Sequence, residues 1–215
     1  MDKETKDSIE EIKKYAKDND VPIMLDDGIE FLTDFIVQKN IKNILEVGTA
    51  IGFSSIMMAL QNDKIRVTTI ERDEERYLEA LKNIKKLKLE DRINLVFGDA
   101  LEVKLPKEKY DLIFLDGAKG QNIKFLERFE DSLSEYGYFI TDNINFHGYV
   151  KEDENEIKSR NLRGLVRKIK AYIAYLNESE KYTTKFYEIG DGIAVTERKR
   201  WLLWNLQLFL IKILI

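Results

Sequence analysis

The feature that most restricts this chain is an alternation of short apolar runs with charged stretches of helical period. The runs cover residues 43–47, 66–71, 93–97, 110–115 and 138–141, and they are nearly continuous in apolar character rather than alternating. Strands of that kind belong in a parallel sheet that is buried on both faces. The intervening stretches at 54–60, 74–87 and 123–133 read as the crossover helices that parallel strands require. A long basic helix over 161–176 precedes two further strands, 183–189 and 193–196, joined through Gly190-Asp191-Gly192. That junction is short enough for a hairpin, so one strand is expected to run antiparallel. The reading is an α/β chain: a mostly parallel seven-stranded sheet with one antiparallel strand and helices on both faces. Residues 1–200 are expected to form a single domain, with a helical cap over residues 1–40.

Composition enters where it excludes chemistry. The formal charge of −4 offers no global attraction for nucleic acid, although a net value conceals local faces. The absence of cysteine removes disulfides, thiolate metal sites and cysteine nucleophiles, and it agrees with a cytoplasmic location. The opening Met1-Asp2-Lys3-Glu4 lacks the apolar stretch of a signal peptide. Pro22 and Pro106 are the only prolines, and neither a linker nor an internal repeat is visible. Residues 201–215 stand apart as an intensely apolar tail, too short as a helix to cross a bilayer core. Three readings compete for it: a dimer-contact helix, an interfacial membrane helix, or a tail foreign to the domain whose exposed patch promotes association. No membrane partner is expected.

In a sheet of this kind ligands bind beyond the carboxyl ends of the strands. The first strand runs into Glu46-Val47-Gly48-Thr49-Ala50-Ile51-Gly52-Phe53-Ser54, a glycine turn that lets backbone approach a ligand. Its spacing differs from the G-x-G-x-x-G of dinucleotide folds, and an ordinary β–α turn looks the same. The second strand ends in Glu71, placed to accept both hydroxyls of a ribose, or else simply the first of a solvated charged run. The third ends in Gly98-Asp99-Ala100, where Asp99 either accepts from an adenine amino group or makes a turn. Together the three occupy neighbouring strand ends in the order a nucleoside needs. The fourth strand ends in Leu115-Asp116-Gly117-Ala118-Lys119 and the fifth in Thr141-Asp142-Asn143. Two carboxylates and an amide oxygen form an all-oxygen set of the kind Mg²⁺ selects. Alone, Asp116 reads as a helix cap and Asp142-Asn143 as an Asx turn. Their common level on adjacent strands, with Lys119 beside Asp116, favours a site.

Glu-Val-Gly-Thr-Ala-Ile-Gly-Phe-Ser-Ser, Leu-Asp-Gly-Ala-Lys and Thr-Asp-Asn taken together resemble the cation-dependent O-methyltransferases, the group of catechol and caffeoyl-CoA O-methyltransferases, over most of the domain. Within that group the chain is most similar to the bacterial branch that converts 5-hydroxyuridine of tRNA to 5-methoxyuridine. The segments Val21-Pro22-Ile23-Met24, Asp116-Gly117-Ala118-Lys119-Gly120-Gln121, Asp142-Asn143-Ile144-Asn145-Phe146-His147-Gly148 and Gly190-Asp191-Gly192-Ile193-Ala194 carry that similarity. The resemblance implies a Rossmann-like class I methyltransferase fold, S-adenosylmethionine as methyl donor, Mg²⁺ or another divalent cation, and a homodimer. It implies that Glu46, Gly48 and Ser54 surround the methionine part of the donor, that Glu71 binds its ribose, and that Thr49 and Arg72 also belong to the donor site. Asp99 and Ala100 would flank the adenine, and Met24 would close over the donor. Asp116, Asp142 and Asn143 match the metal ligands, with Asp116 also reaching the donor, and Lys119 matches the catalytic lysine.

Methyl transfer from a sulfonium to a hydroxyl is an in-line displacement, so the enzyme must align the acceptor and make it nucleophilic. Alignment alone contributes roughly 7–11 kcal/mol in favourable cases. A divalent cation stabilises the deprotonated acceptor, and Lys119 either takes the proton or stays charged beside the oxyanion. The 5-hydroxyl of a modified uridine is acidic enough for this chemistry, as a catechol is, and an anticodon loop presents splayed bases. Three substrate readings stand: the tRNA nucleoside, a small catechol-like phenol, or a non-catalytic nucleotide- or RNA-binding protein of the same fold. For tRNA, Arg160, Arg163, Arg167 and Lys168 form a candidate phosphate face on the basic helix, the three arginines at i, i+3, i+7 spacing. The acidic residues just before that helix favour an ordinary solvated surface instead. For His147, the only histidine, two readings stand: contact with the substrate or, favoured, a loop residue without a chemical role.

Overall fold

The computed structural model describes residues 1–199, so the apolar tail and its three readings lie outside the described residues. Two helices lead into the sheet. α1 (Lys3–Asp18) starts where the Asp2 carboxylate accepts the Thr5 N–H at 2.8 Å, and it turns Ile9, Ile12 and Ala16 inward. α2 (Asp26–Gln38) buries Ile29, Leu32 and Ile36. Then come β1 (Asn43–Val47), α3 (Phe53–Ala59), β2 (Arg66–Glu71), α4 (Glu74–Lys86), β3 (Ile93–Phe97) and β4 (Tyr110–Leu115). α5 (Asn122–Phe129), β5 (Leu133–Thr141), α6 (Arg160–Glu178), β6 (Tyr182–Tyr187) and β7 (Ile193–Arg198) complete the described chain.

The strand order is β3-β2-β1-β4-β5-β7-β6. β7 is antiparallel to both its neighbours, so it alone runs against the other strands. Side chains alternate between two apolar layers, as the period of a strand demands. Along β4, Leu112 and Phe114 join the layer under α1, α2 and α3, while Ile113 and Leu115 join the layer under α5 and α6. The order reverses at β1, which has β2 on one side and β4 on the other. That switch point is where a doubly wound sheet leaves a crevice at its carboxyl edge.

Two boundaries differ from the sequence reading. The helix expected over 123–133 ends at Phe129, a 3-10 turn spans Glu130–Ser132, and the strand expected at 138–141 already begins at Leu133. Leu133 sits opposite Tyr110 and is buried, whereas Glu135 and Tyr136 face solvent and carry no apolar strand signal. The strand expected over 183–189 spans Tyr182–Tyr187, and the one expected over 193–196 extends to Arg198. Among the described residues no helix is long and apolar enough to cross a membrane.

Candidate active site

At the switch point lies a cavity of about 560 Å³, lined from the tips of β1, β2, β3, β4 and β5, the segment before α2 and the turn before β7. Its floor depends on Gly48. A Cβ there would lie 2.6 Å from the Asp116 carbonyl oxygen, and its φ of +100° is one that side-chain-bearing residues avoid. The ends of β1 and β4 can therefore touch.

Register explains why the candidate ligands share a level. Val47 pairs with Leu115 and Leu115 with Thr141, so Asp116 and Asp142 are the next residues on adjacent strands. The Asp116 N–H donates to Val47 O at 2.9 Å and the Asp142 N–H to Leu115 O at 3.2 Å. Lys119 lies three residues on, at the start of a 3-10 turn, and its ammonium pairs with the Asp116 carboxylate. Asp142 is 3% exposed, and burial, followed by the nearby charge of Asp116, pushes its carboxyl up to about 7. Two close carboxylates in a partly dry site call for positive charge. Among the described residues no group of three His, Cys, Asp or Glu side chains could hold a metal ion. A cation bound by Asp116 and Asp142 would find a further oxygen in the Asn143 amide, which lines the same cavity. The oxygen-only donor set fits a hard divalent ion.

The other arm of the cavity suits a nucleoside. Glu71 Oε2 accepts the Ala50 N–H at 2.8 Å, and Oε1 accepts the N–H groups of Arg72 and Asp73, each at 2.8 Å. One carboxylate thereby ties the glycine loop to the end of β2. Asp99 Oδ1 accepts the Leu101 N–H at 2.8 Å, and Oδ2 lies 3.6 Å from the Arg72 guanidinium. Arg72, Asp99 and Ala100 all line the wall, and Met24 does so from the N-terminal segment that covers it.

Glu46, Thr49 and Ser54 are placed elsewhere. Glu46 is fully buried on the α3 side of β1, one residue out of phase with Leu45, and its oxygens accept the hydroxyls of Ser54, Ser55 and Thr69. Thr49 bonds to Thr69 through their hydroxyls at 2.6 Å. These residues hold the glycine loop from behind instead of facing the cavity. Burial pushes the Glu46 carboxyl up to about 7 against the downward pull of its three hydroxyl donors.

The arginines of α6 differ in their surroundings. Arg167 is paired with Glu154 at 2.6 Å, and Arg163 is half-buried with its Nε unbonded, while Arg160 is exposed. The acidic segment before α6 folds back on the helix, and Glu154 lies 3.9 Å from Lys170 as well. Lys168 packs against a different element: a Cβ on Gly120 would lie 3.0 Å from Lys168 Cδ, so this lysine lies against the turn that follows Lys119.

Several wall residues were not among the site residues expected from sequence. Phe146 and His147 line the cavity from the segment after β5, and Arg76 and Phe125 line it from α4 and α5. Asp191 lines it from the turn before β7. An acidic residue between two glycines at a strand end was the available cue for Asp191.

Comparisons with known proteins agree with this architecture. A model of the O-methyltransferase family matches residues 2–199. A crystal structure of a caffeoyl-CoA O-methyltransferase candidate from Staphylococcus aureus is 39% identical, with a TM-score of 0.85 over 89% of this chain and 92% of that one. The caffeoyl-CoA O-methyltransferase of Populus kitakamiensis is 28% identical over 194 residues, covering 86% of this chain and 82% of its own. An O-methyltransferase from Bacillus cereus, crystallised in complex with SAH, shares the fold at a TM-score of 0.76 and 23% identity, over 90% and 91% of the two chains.

Proposed function

The chain belongs to the O-methyltransferase family, and we propose that it is a metal-assisted tRNA methyltransferase that moves the methyl group of S-adenosylmethionine onto the 5-hydroxyl of 5-hydroxyuridine. The observation that carries the reading is the continuity of one cavity, from Glu71 and Asp99 at one arm to Asp116, Asp142 and Asn143 at the other. In it Glu71 receives the ribose hydroxyls of the donor, Asp99 and Ala100 take the adenine edge, and Met24 excludes water above. Asp116, Asp142 and Asn143 hold the divalent cation, which when bound supplies a Lewis acid for the acceptor oxygen. Lys119, ion-paired with Asp116, puts positive charge beside that oxygen as its proton passes to solvent. The acceptor oxygen then displaces the sulfonium: the O–CH₃ bond forms as the S–CH₃ bond breaks, releasing the thioether.

The tRNA assignment rests on the sequence segments named above and on exposed Lys168 against the Gly120 turn, a charge that suits a phosphate of a large acceptor. A second reading, a small catechol-like phenol as acceptor, is favoured by the caffeoyl-CoA O-methyltransferases among the relatives. The deciding assay offers hypomodified tRNA and catechol in parallel, with and without EDTA, and analyses the nucleosides by mass spectrometry. We expect 5-methoxyuridine, lost with EDTA and in Asp142→Ala. Methylation of catechol alone overturns the tRNA assignment, and transfer that survives EDTA overturns the metal.

A further inference from the structure

Asp191 sits between Gly190 and Gly192 in the turn that joins β6 to β7, buried on the cavity wall, and the function proposed above gives it no part. Its carboxylate reaches the segment that follows β5. Oδ1 accepts the His147 N–H at 2.6 Å, and Oδ2 accepts from Asn143 Nδ2 at 3.4 Å. The backbone ties the two segments further. The Ile144 N–H donates to Gly192 O at 3.0 Å and the Asn145 N–H to Asp191 O at 2.8 Å. The segment being held is strained: Asn143, Phe146 and His147 have φ of 59°, 45° and 55°, all left-handed. Such a backbone persists only where its surroundings over-determine it, and it concentrates at functional sites.

The chemistry of the contact is directional. A carboxylate only accepts hydrogen bonds, whereas an amide has one donating and one accepting end. With Nδ2 committed to Asp191, the Asn143 carbonyl oxygen is the end left for the cavity. A hard divalent cation takes that oxygen and has no use for an NH₂ group. Since Asn143 supplies the third protein ligand beside Asp116 and Asp142, the orientation of this one amide decides whether the set is complete.

We infer that Asp191 is a positioning residue that selects which end of the Asn143 amide faces Asp116 and Asp142, and so completes the cation site without touching the cation. The inference rests on the metal-assisted reading. It predicts an exchange of polarity between the two positions. In Asp191→Asn the new amide can donate to Asn143 and turn its NH₂ into the cavity. In Asn143→Asp two carboxylates confront each other. In the double variant a donor again faces an acceptor, and an oxygen again faces the cavity.

The test titrates Mn²⁺ into the chelator-treated full chain and reads the free ion by electron paramagnetic resonance, with S-adenosylmethionine affinity as the check on folding. Asp191→Asn is expected to bind Mn²⁺ roughly 10–100-fold more weakly, the usual effect of losing a ligand's orienting partner. Asn143→Asp offers an oxygen whichever way it turns and is expected to bind at least as tightly as the parent. In that background Asp191→Asn is expected to cost nothing, so the double variant stays close to the parent value. A residue that merely holds the loop through the His147 N–H would weaken binding in either background. Asp191→Asn binding Mn²⁺ as tightly as the parent, or a double variant roughly 10-fold or more weaker than Asn143→Asp, overturns the inference. The second comparison stands even if Asp191→Asn alone folds poorly. A parent chain that binds no Mn²⁺ sinks the metal reading itself, which is a separate result.

Discussion

Glu46 shows how a single buried acid can serve a site it does not touch. Its oxygens are taken up by hydroxyls from α3 and β2, so it fastens the glycine loop to two elements at once. Burial raises its carboxyl from 4.5 to about 7, so the native state holds a proton that the unfolded chain has released. That contribution is fully present below pH 4.5 and is lost as pH rises to about 7. At roughly 1.4 kcal/mol per pH unit the loss is on the order of 3 kcal/mol. Glu46→Gln lacks the titration and is expected to gain stability relative to the parent across that window. Urea unfolding at the two ends of the window measures it, and parallel pH profiles would remove Glu46 as the cause. Gly48 makes the complementary case. Gly48→Ala forces a Cβ against the Asp116 carbonyl at an unfavourable φ, and we expect a loss on the order of 1–3 kcal/mol with weakened donor binding. Unchanged denaturation and donor affinity would show that the β1 and β4 ends yield without consequence.

At the scale of elements, α6 carries charge on two sides that behave differently. Its Ser159 cap and buried Val166, Ile169, Tyr172 and Leu176 fix its rotation. That rotation sends Arg167 to Glu154 and Lys168 to the turn at Gly120. The consequence for a polyanionic substrate is asymmetric. Lys168→Glu is expected to weaken tRNA binding several-fold and to lower the salt dependence of binding by about one counterion. Arg167→Ala, whose side chain is already paired, should change binding much less. Fluorescence anisotropy of labelled tRNA across a salt series reads both, and equal effects would mean that the Glu154 pair does not hold Arg167 when RNA is present.

For the whole molecule, the cavity is a product of topology. β1 feeds β2 on one side and borders β4 on the other, and the crevice between them collects residues that are far apart in sequence, from Met24 to Asp191. The segment before α2 covers one side, and its neighbour Asp27 accepts the Gly190 N–H at 2.9 Å, joining the N-terminal cover to the turn that carries Asp191. A donor held by both ends of the chain should stabilise the native state as a unit. At about 100 times its dissociation constant the gain is about 2.7 kcal/mol, which for a domain of this size raises the melting temperature by roughly 5–10 °C. Differential scanning fluorimetry with S-adenosylmethionine measures it, and an unshifted transition would mean that the cavity does not take the donor.

The strand and helix content was legible from sequence because buried strands and amphipathic helices leave periodic apolar patterns, and β1, β2, β3 and β4 fall where those patterns put them. The strand-tip residues Glu71, Asp99, Asp116, Asp142 and Asn143 were legible too, because in a sheet of this class position along the chain implies position at the carboxyl edge. Three things were decided only by the tertiary structure. Side-chain phase along β1 put Glu46 behind the loop, which a one-residue alternation settles and a motif cannot. The fold-back of the acidic segment neutralised Arg167, since helical spacing predicts neighbours on the helix and not partners from outside it. The meeting of Asp191 with Asn143, 48 positions apart, depended on β7 pairing antiparallel to β5, so that the turn before one strand lands on the segment after the other.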